Sequence, residues 1–360
     1  MIVTPDRRAE WNALVAACPY GDLLQCWEWG DLKARTGWTS LPVAVERGGR
    51  LAAACLLLKR PLPGGLSLLY APRGPVVDFS QSELWSDLAA EIRTVARRGR
   101  AIVVKVDPAI PAGDTQPAQA LRSAGFRPAG SAEAVGGTQP RQVMKLDLSR
   151  SEQQLLESFA PKWRYNLRLA ERKGVTVADE VTRADLPAWY EVLQVTARRD
   201  GFTVRALSYF YDLWDLIIAP GLGRMFLARL EGQARSAGQI IAGTMAFCLP
   251  PQCWYVYGAS ADEHRNLMPN HALQWAMMQW AKSQGCTVYD FRGVAPEVDG
   301  EPQGHLGGLN RFKRGFGAQY VEYLGDYDLV LNPAAYWAFQ KALPWVRQRG
   351  RAKRAAEEAV

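Results

Sequence analysis

The chain carries one plan of secondary structure twice, and this duplication constrains its fold more than any single motif does. The segment VAVERGGRLAAACLLLKR (43–60) sets two β-rich runs around a Gly-Gly pair and predicts a hairpin. FLARLEGQARSAGQIIAGTMAF (226–247) has the same form. Each hairpin is followed by a short strand, LSLLYAPRGP or CWYVYGAS, and then by a helical stretch, 82–98 or 267–284. A strand opening on Gly99 or Gly285 closes each repeat. The offsets agree: Gly48 to Gly232 is 184 residues, Tyr70 to Tyr257 is 187, and Gly99 to Gly285 is 186. The repeated unit predicts an α/β protein of two similar domains, each a mixed sheet with helices packed on it. The expected division is 1–149 and 150–326. The strand pattern Tyr327–Leu331 and a helix from Pro333 to Arg349 are expected to return to the first domain, because the second repeat is complete without them.

The longest apolar run, Leu51 to Leu58, has the length of a strand and not the roughly 18–20 residues of a membrane span. The opening residues MIVTPDRRAEW lack the apolar stretch of a signal peptide, so a cytoplasmic protein is expected. Six cysteines without a CxxC pair predict buried free thiols, and neither a zinc site nor a disulfide framework. Three histidines are too few for a His-based metal cluster. The net charge of +7 suits an anionic partner such as a nucleotide, a tRNA or an anionic membrane surface. Part of that charge sits in the tail Arg347–Arg354, which solvation alone also accounts for.

Several stretches carry residues suited to chemistry. In GGLNRFKRGFGAQY, glycines bracket Arg311, Phe312, Lys313 and Arg314, and glycine lets backbone approach a ligand closely. In DGFTVRALSYFYDLW, Arg205 and Tyr209 stand four residues apart, so a helix from Ala206 onward puts a guanidinium and a phenol near one face, fit to grip a phosphate or carboxylate. Tyr257 falls at a strand end. Lys33 lies among Trp27, Trp29 and Trp38, which read as core. The stretch PKWRYNLRLAERKG predicts a helix from Pro161 to Gly174 whose Lys162, Arg164, Arg168, Arg172 and Lys173 make either a solvated face or a phosphate-facing one.

Eight phrases in this order resemble the FemABX family of peptidoglycan interpeptide-bridge transferases, which use aminoacyl-tRNA. They are Gln25-Cys-Trp-Glu-Trp-Gly-Asp-Leu-Lys33, Tyr70-Ala-Pro-Arg-Gly-Pro75, Lys105-Val-Asp-Pro108, Lys162-Trp-Arg-Tyr-Asn166, Arg205 with Tyr209 and Phe210, Tyr257-Gly-Ala-Ser260, Tyr289-Asp-Phe-Arg-Gly293 and Arg311-Phe-Lys-Arg-Gly-Phe-Gly317. The resemblance implies two tandem acetyltransferase-like (GNAT) domains. It implies transfer of glycine, alanine or serine from aminoacyl-tRNA to the side-chain amine of the stem peptide in a UDP-linked or lipid-linked precursor, with peripheral contact of the protein at the inner membrane surface. It places Lys33, Arg205, Tyr209, Tyr257 and Phe312 at the substrate, Lys313 where the family has its catalytic lysine, and Asp107 near the acceptor amine. Aminoacyl-tRNA is a co-substrate, and no cofactor or metal is implied. No sustained heptad run appears, so the form expected lacks the coiled-coil arm of some relatives.

The chemistry suits these residue types. A neutral amine attacks an aminoacyl ester, and an ammonium beside the tetrahedral oxyanion favours the transition state, by roughly 3–4 kcal/mol for comparable donors. No covalent enzyme intermediate is required, so a missing nucleophile–histidine pair is no objection. Two other readings compete. An acyl-CoA-dependent N-acyltransferase needs a pyrophosphate loop between strand and helix. The formal matches at 127–132, 229–234 and 347–352 occupy a Pro-containing stretch, a hairpin turn and the basic tail. A non-catalytic RNA- or membrane-surface-binding protein needs its basic residues gathered on one face, whereas here they are spread along the chain and matched by 36 acids.

Overall fold

The computed structural model describes residues 1–129, 139–178, 180–230, 239–304 and 307–342. Gly232, His305, the tail from 347 and most of the three formal pyrophosphate-loop matches lie outside them. The chain forms two compact units, 1–141 with 323–360, and 142–322.

In the first unit the hairpin Thr39–Arg47 and Arg50–Leu62 turns at Gly48-Gly49, both at positive φ where a side chain is strained. Strand Leu66–Ala71 pairs antiparallel with the hairpin and parallel with Ala101–Val106, and helix Ser82–Arg98 makes the crossover between them. That helix buries Leu84, Trp85, Leu88, Ile92 and Val95, the i, i+3, i+4 stripe of a sheet-covering helix, against Cys55, Leu57, Leu69 and Val104. All six residues of Ala101–Val106 are buried, as a central parallel strand requires. Tyr327–Val330 joins this sheet from the far end of the chain, antiparallel to Ala101–Val106. Its Asp328 meets the buried Lys105 ammonium at 2.6 Å. A helix follows over 333–342.

The second unit repeats the arrangement. Strands Gly223–Leu230 and Ile240–Leu249 pair antiparallel, Gln252–Ser260 adds antiparallel to them, and helix Pro269–Ser283 crosses to the parallel strand Val288–Gly293. Val175–Val177 extends one edge and Gln319–Glu322 the other. Helices Pro161–Arg172 and Pro269–Ser283 pack on one face around Ala242, Ala246 and Tyr255. Helices Leu186–Asp200 and Leu207–Leu213 cover the other, where Trp189 occupies the space a side chain at Gly243 would need.

The units divide at 141/142 and 322/323, ahead of the expected 149/150 and 326/327. Gln142–Asp147 is a strand that pairs with both Val288–Gly293 and Gln319–Glu322, which draws it into the second sheet. At the other boundary Tyr323 bridges Pro111 and Leu324 donates to the Ile110 carbonyl, both within the first unit. All six cysteines are free and buried.

Candidate active site

The first unit holds Lys33 and Asp107. Lys33 ends helix Trp27–Ala34, and its ammonium lies 4.2 Å from the centre of the Trp29 ring, one turn back. Trp29 is thus a platform for the lysine and not only core, a role its i, i+4 spacing could have signalled. Asp107 follows the central strand and is 1% exposed. Its carboxylate accepts from the Tyr70 hydroxyl at 2.6 Å, the Arg73 amide at 2.6 Å and the Gln139 amide at 3.0 Å. Burial pushes its pKa up, while the nearby Arg73 charge pulls it down. Arg73 sits at φ 58° with its guanidinium buried over the Tyr323 ring, donating to the Pro140 carbonyl at 2.6 Å. Tyr70 and Arg73 were legible only as part of a motif; the structure makes them partners of Asp107.

In the second unit Arg205, Tyr209 and Tyr257 come together. Arg205 stands just before helix Leu207–Leu213, exposed, with its guanidinium 4.7 Å from the Tyr209 ring centre. The Tyr209 and Tyr257 hydroxyls are 3.1 Å apart. Strand alternation alone would point Tyr257 the same way as Tyr255, toward helix Pro269–Ser283. A β-bulge intervenes: Tyr255 faces Ala246 and Tyr257 faces Met245, so two residues oppose one. The bulge turns Tyr257 to the other face, where its ring meets Phe210 and Phe247. Burial raises both phenol pKa values, that of Tyr257 well above the ordinary range. Both phenols therefore keep their protons at neutral pH. Two protonated phenols beside the Arg205 guanidinium suit an anionic oxygen.

Lys313 lies in helix Gly307–Arg314 and is 3% exposed. Its ammonium donates to the carbonyls of Phe291 at 2.7 Å and Gly293 at 2.6 Å, with that of Arg292 at 3.4 Å. These carbonyls converge because Arg292 adopts φ 60°, a left-handed conformation uncommon outside glycine, with its amide held by Asp290 at 2.6 Å. Burial pushes the Lys313 pKa down to about 7, opposed by Asp290. The expected ammonium facing a reacting oxygen is thus found facing backbone, and contact with a substrate oxyanion requires exchange of one of these bonds. Asn310, fully buried, fixes the same helix to Ala295 through both its amide N–H and its carbonyl.

Phe312 packs edge-on against His271 and Phe316. His271 is buried among these rings beside Asn166 at 3.0 Å. Burial and the Lys162 charge push its pKa down to about 4, so it is neutral at ordinary pH. The Trp163 indole donates to the Phe312 carbonyl at 3.0 Å and occupies space that only glycine at 315 leaves open: an added Cβ would stand 2.2 Å from its ring. Gly315→Ala is therefore expected to displace the indole and destabilise the second unit by about 1–3 kcal/mol. A lowered urea midpoint with a red-shifted tryptophan emission checks this.

Among the described residues no group of three or more His, Cys, Asp or Glu is placed to hold a metal ion, and no helix is long and apolar enough to cross a membrane. The second unit's longest described helices have 15 residues, so no long paired arm is present there among the described residues.

A family model described as the FemAB family matches residues 7–217 and 224–343. The lipid II:glycine glycyltransferase of Staphylococcus aureus (strain MRSA252) is 29% identical, over 93% of this chain and 94% of that protein. A crystal structure of FemX superposes with a TM-score of 0.84 at 28% identity, covering 94% of this chain and 99% of the other. A tandem GNAT protein from the clavulanic acid biosynthesis pathway, at 15% identity and a TM-score of 0.53 over 91% and 96% of the two chains, shares the fold of two tandem acetyltransferase-like domains. With the model match running through nearly all of both units, the chain belongs to the FemAB family.

Proposed function

We propose that this protein is an aminoacyltransferase that moves an amino acid of the glycine, alanine or serine class from aminoacyl-tRNA to the side-chain amine of a peptidoglycan precursor's stem peptide. The observation that carries this reading is the end-to-end likeness to a lipid II:glycine glycyltransferase, 93% of one chain against 94% of the other. That relative's substrate favours a lipid-linked acceptor, met at the cytoplasmic face of the membrane. In this reading Arg205, Tyr209 and Tyr257 hold an anionic group of the precursor, and Lys33 on its indole platform does the same in the first unit. The acceptor amine attacks the aminoacyl ester, a tetrahedral oxyanion forms, and the tRNA ribose hydroxyl leaves. Lys313 acts as a positioning residue: its charge fixes the carbonyls of 291–293 and polarises those peptides, with Phe312 bracing the helix that carries it. No cofactor is needed for this chemistry.

The test incubates the purified chain with glycyl-, alanyl- and seryl-tRNA and with UDP-linked and lipid-linked precursors. A labelled amino acid should pass into a base-stable amide on the precursor. Transfer from acetyl-CoA and from no aminoacyl-tRNA would overturn the reading in favour of an ordinary N-acyltransferase. Arg205→Ala and Tyr257→Phe should each raise the KM for the precursor, Arg205→Ala about tenfold or more, with kcat nearly unchanged, because they remove binding common to ground and transition states. An unchanged KM would exclude these residues from the precursor site.

A further inference from the structure

We infer that helix Pro161–Arg172 and the two depressions flanking it are the docking surface for the single-stranded 3′ end of an RNA. The inference rests on the tRNA-dependent reading above and gives the RNA a place on the second unit. Lys162, Arg168, Arg172 and Lys173 on or at the end of this helix, and Arg311 on the neighbouring one, are all exposed and have no ion pair among the described residues. Four other arginines of the same unit are matched, Arg183 by Asp215, Arg199 by Asp262, Arg229 by Asp185 and Arg314 by Glu297, whereas Arg198, Arg205 and Arg265 elsewhere on it have no ion pair among the described residues. Unmatched cations gathered on one surface call for an anion from outside the chain.

Aromatic rings lie between the charges. Tyr165 is 55% exposed, with the Arg172 guanidinium 5.7 Å from its ring centre. On one side of the helix runs a groove of about 790 Å³, floored by Leu167, Phe226, Trp275 and Trp280 and bordered by Arg164, Arg168 and Arg224. Glu171 is the one carboxylate among its lining residues. At the start of the helix is a hollow of about 330 Å³ lined by Trp163, Arg311 and Arg314 with one carboxylate, Glu301, and it includes part of the helix that carries Lys313. Cations spaced along a helix with rings between them match a nucleic-acid strand, whose phosphates repeat and whose bases each offer a stacking face. From Lys162 to Lys173 the helix axis advances about 16 Å at about 1.5 Å per residue, room for several phosphates. An anionic lipid surface fits less well. It asks for an apolar ridge that projects, whereas the apolar area here is recessed between basic walls.

The experiment measures fluorescence anisotropy of a labelled acceptor-stem RNA hairpin with a single-stranded 3′ end, bound to the full chain at several salt concentrations. Arg168→Glu with Arg172→Glu should raise Kd at least about tenfold and reduce the salt slope by about 1.4, two phosphate contacts of a single strand. In the transfer assay the same variant should raise the KM for aminoacyl-tRNA and leave that for the precursor unchanged. Arg47→Glu, one such charge reversal on the first unit's hairpin, should shift Kd less than about twofold. Wild-type RNA affinity in the double variant overturns the inference, as does loss of binding to phosphatidylglycerol vesicles with RNA binding intact. Transfer by the wild type with no effect of the double variant sinks the inference and leaves the proposed function standing. RNA binding that needs these arginines, in a protein that transfers nothing, does the reverse.

Discussion

Lys313→Met is expected to lower transfer by about 10²–10³-fold while the protein stays folded and its KM for the precursor holds. Two opposing effects keep the stability change small. Methionine removes a charge whose burial is costly, which pushed its pKa down to about 7. It also strips three carbonyls of their donor and leaves Arg292 at φ 60° without the ammonium that gathers them. The corner 291–293 then relaxes, and the site loses its shape more than the fold loses its core. Stopped transfer with a urea midpoint near wild type supports a functional lysine; equal losses in both make it structural.

The pH dependence separates the acting form of this lysine. Transfer should rise with pH as the acceptor amine loses its proton, and fall again as the Lys313 ammonium titrates near pH 7. In Lys313→Arg the charge persists, so any activity that remains should keep rising past that point. A falling limb that survives in the arginine variant would assign it to another group. The stability effect has its own sign. The folded pKa lies below the ordinary 10.5, so between about 7 and 10.5 the unfolded chain holds a proton that the folded one does not. Stability therefore gains from this group as pH rises through that window, and the methionine variant should lack that gain.

The duplicated plan was legible because hairpin, crossover helix and parallel strand each leave a local period in the sequence, as the stripe Leu84, Leu88, Ile92, Val95 does. Arg205 and Tyr209 were legible for the same reason, four residues apart on one short segment. What stayed hidden depends on pairing at a distance. The bulge that turns Tyr257 to its face exists only in register with Ala246 and Met245. The carbonyls around Lys313 come from a strand some twenty residues earlier. The Gln142–Asp147 strand was overlooked as the start of the second sheet because both its partners lie far along the chain. Periodicity reports which face is buried, not which neighbour covers it.

Asp107→Ala should destabilise the first unit by about 3–5 kcal/mol, the cost of taking one member from a buried, charged network. The carboxylate is the acceptor for the Tyr70 hydroxyl and for the amides of Arg73 and Gln139, and the buried Arg73 charge stands beside it. Asp107→Asn should cost less, about 1–3 kcal/mol. Its carbonyl still accepts and the Tyr70 hydroxyl can rotate to receive the new amide proton, but a backbone N–H cannot reverse its role. Tyr70→Phe, which removes one donor and leaves the other two bonds, should cost least. This order, alanine above asparagine above the tyrosine change, follows from a carboxylate serving as a structural knot between the strand end and the segments at 73 and 139. A proton acceptor for the incoming amine predicts another pattern, in which the asparagine protein melts like wild type yet transfers nothing. Urea midpoints and single-turnover transfer measured on the same three variants decide between the two roles.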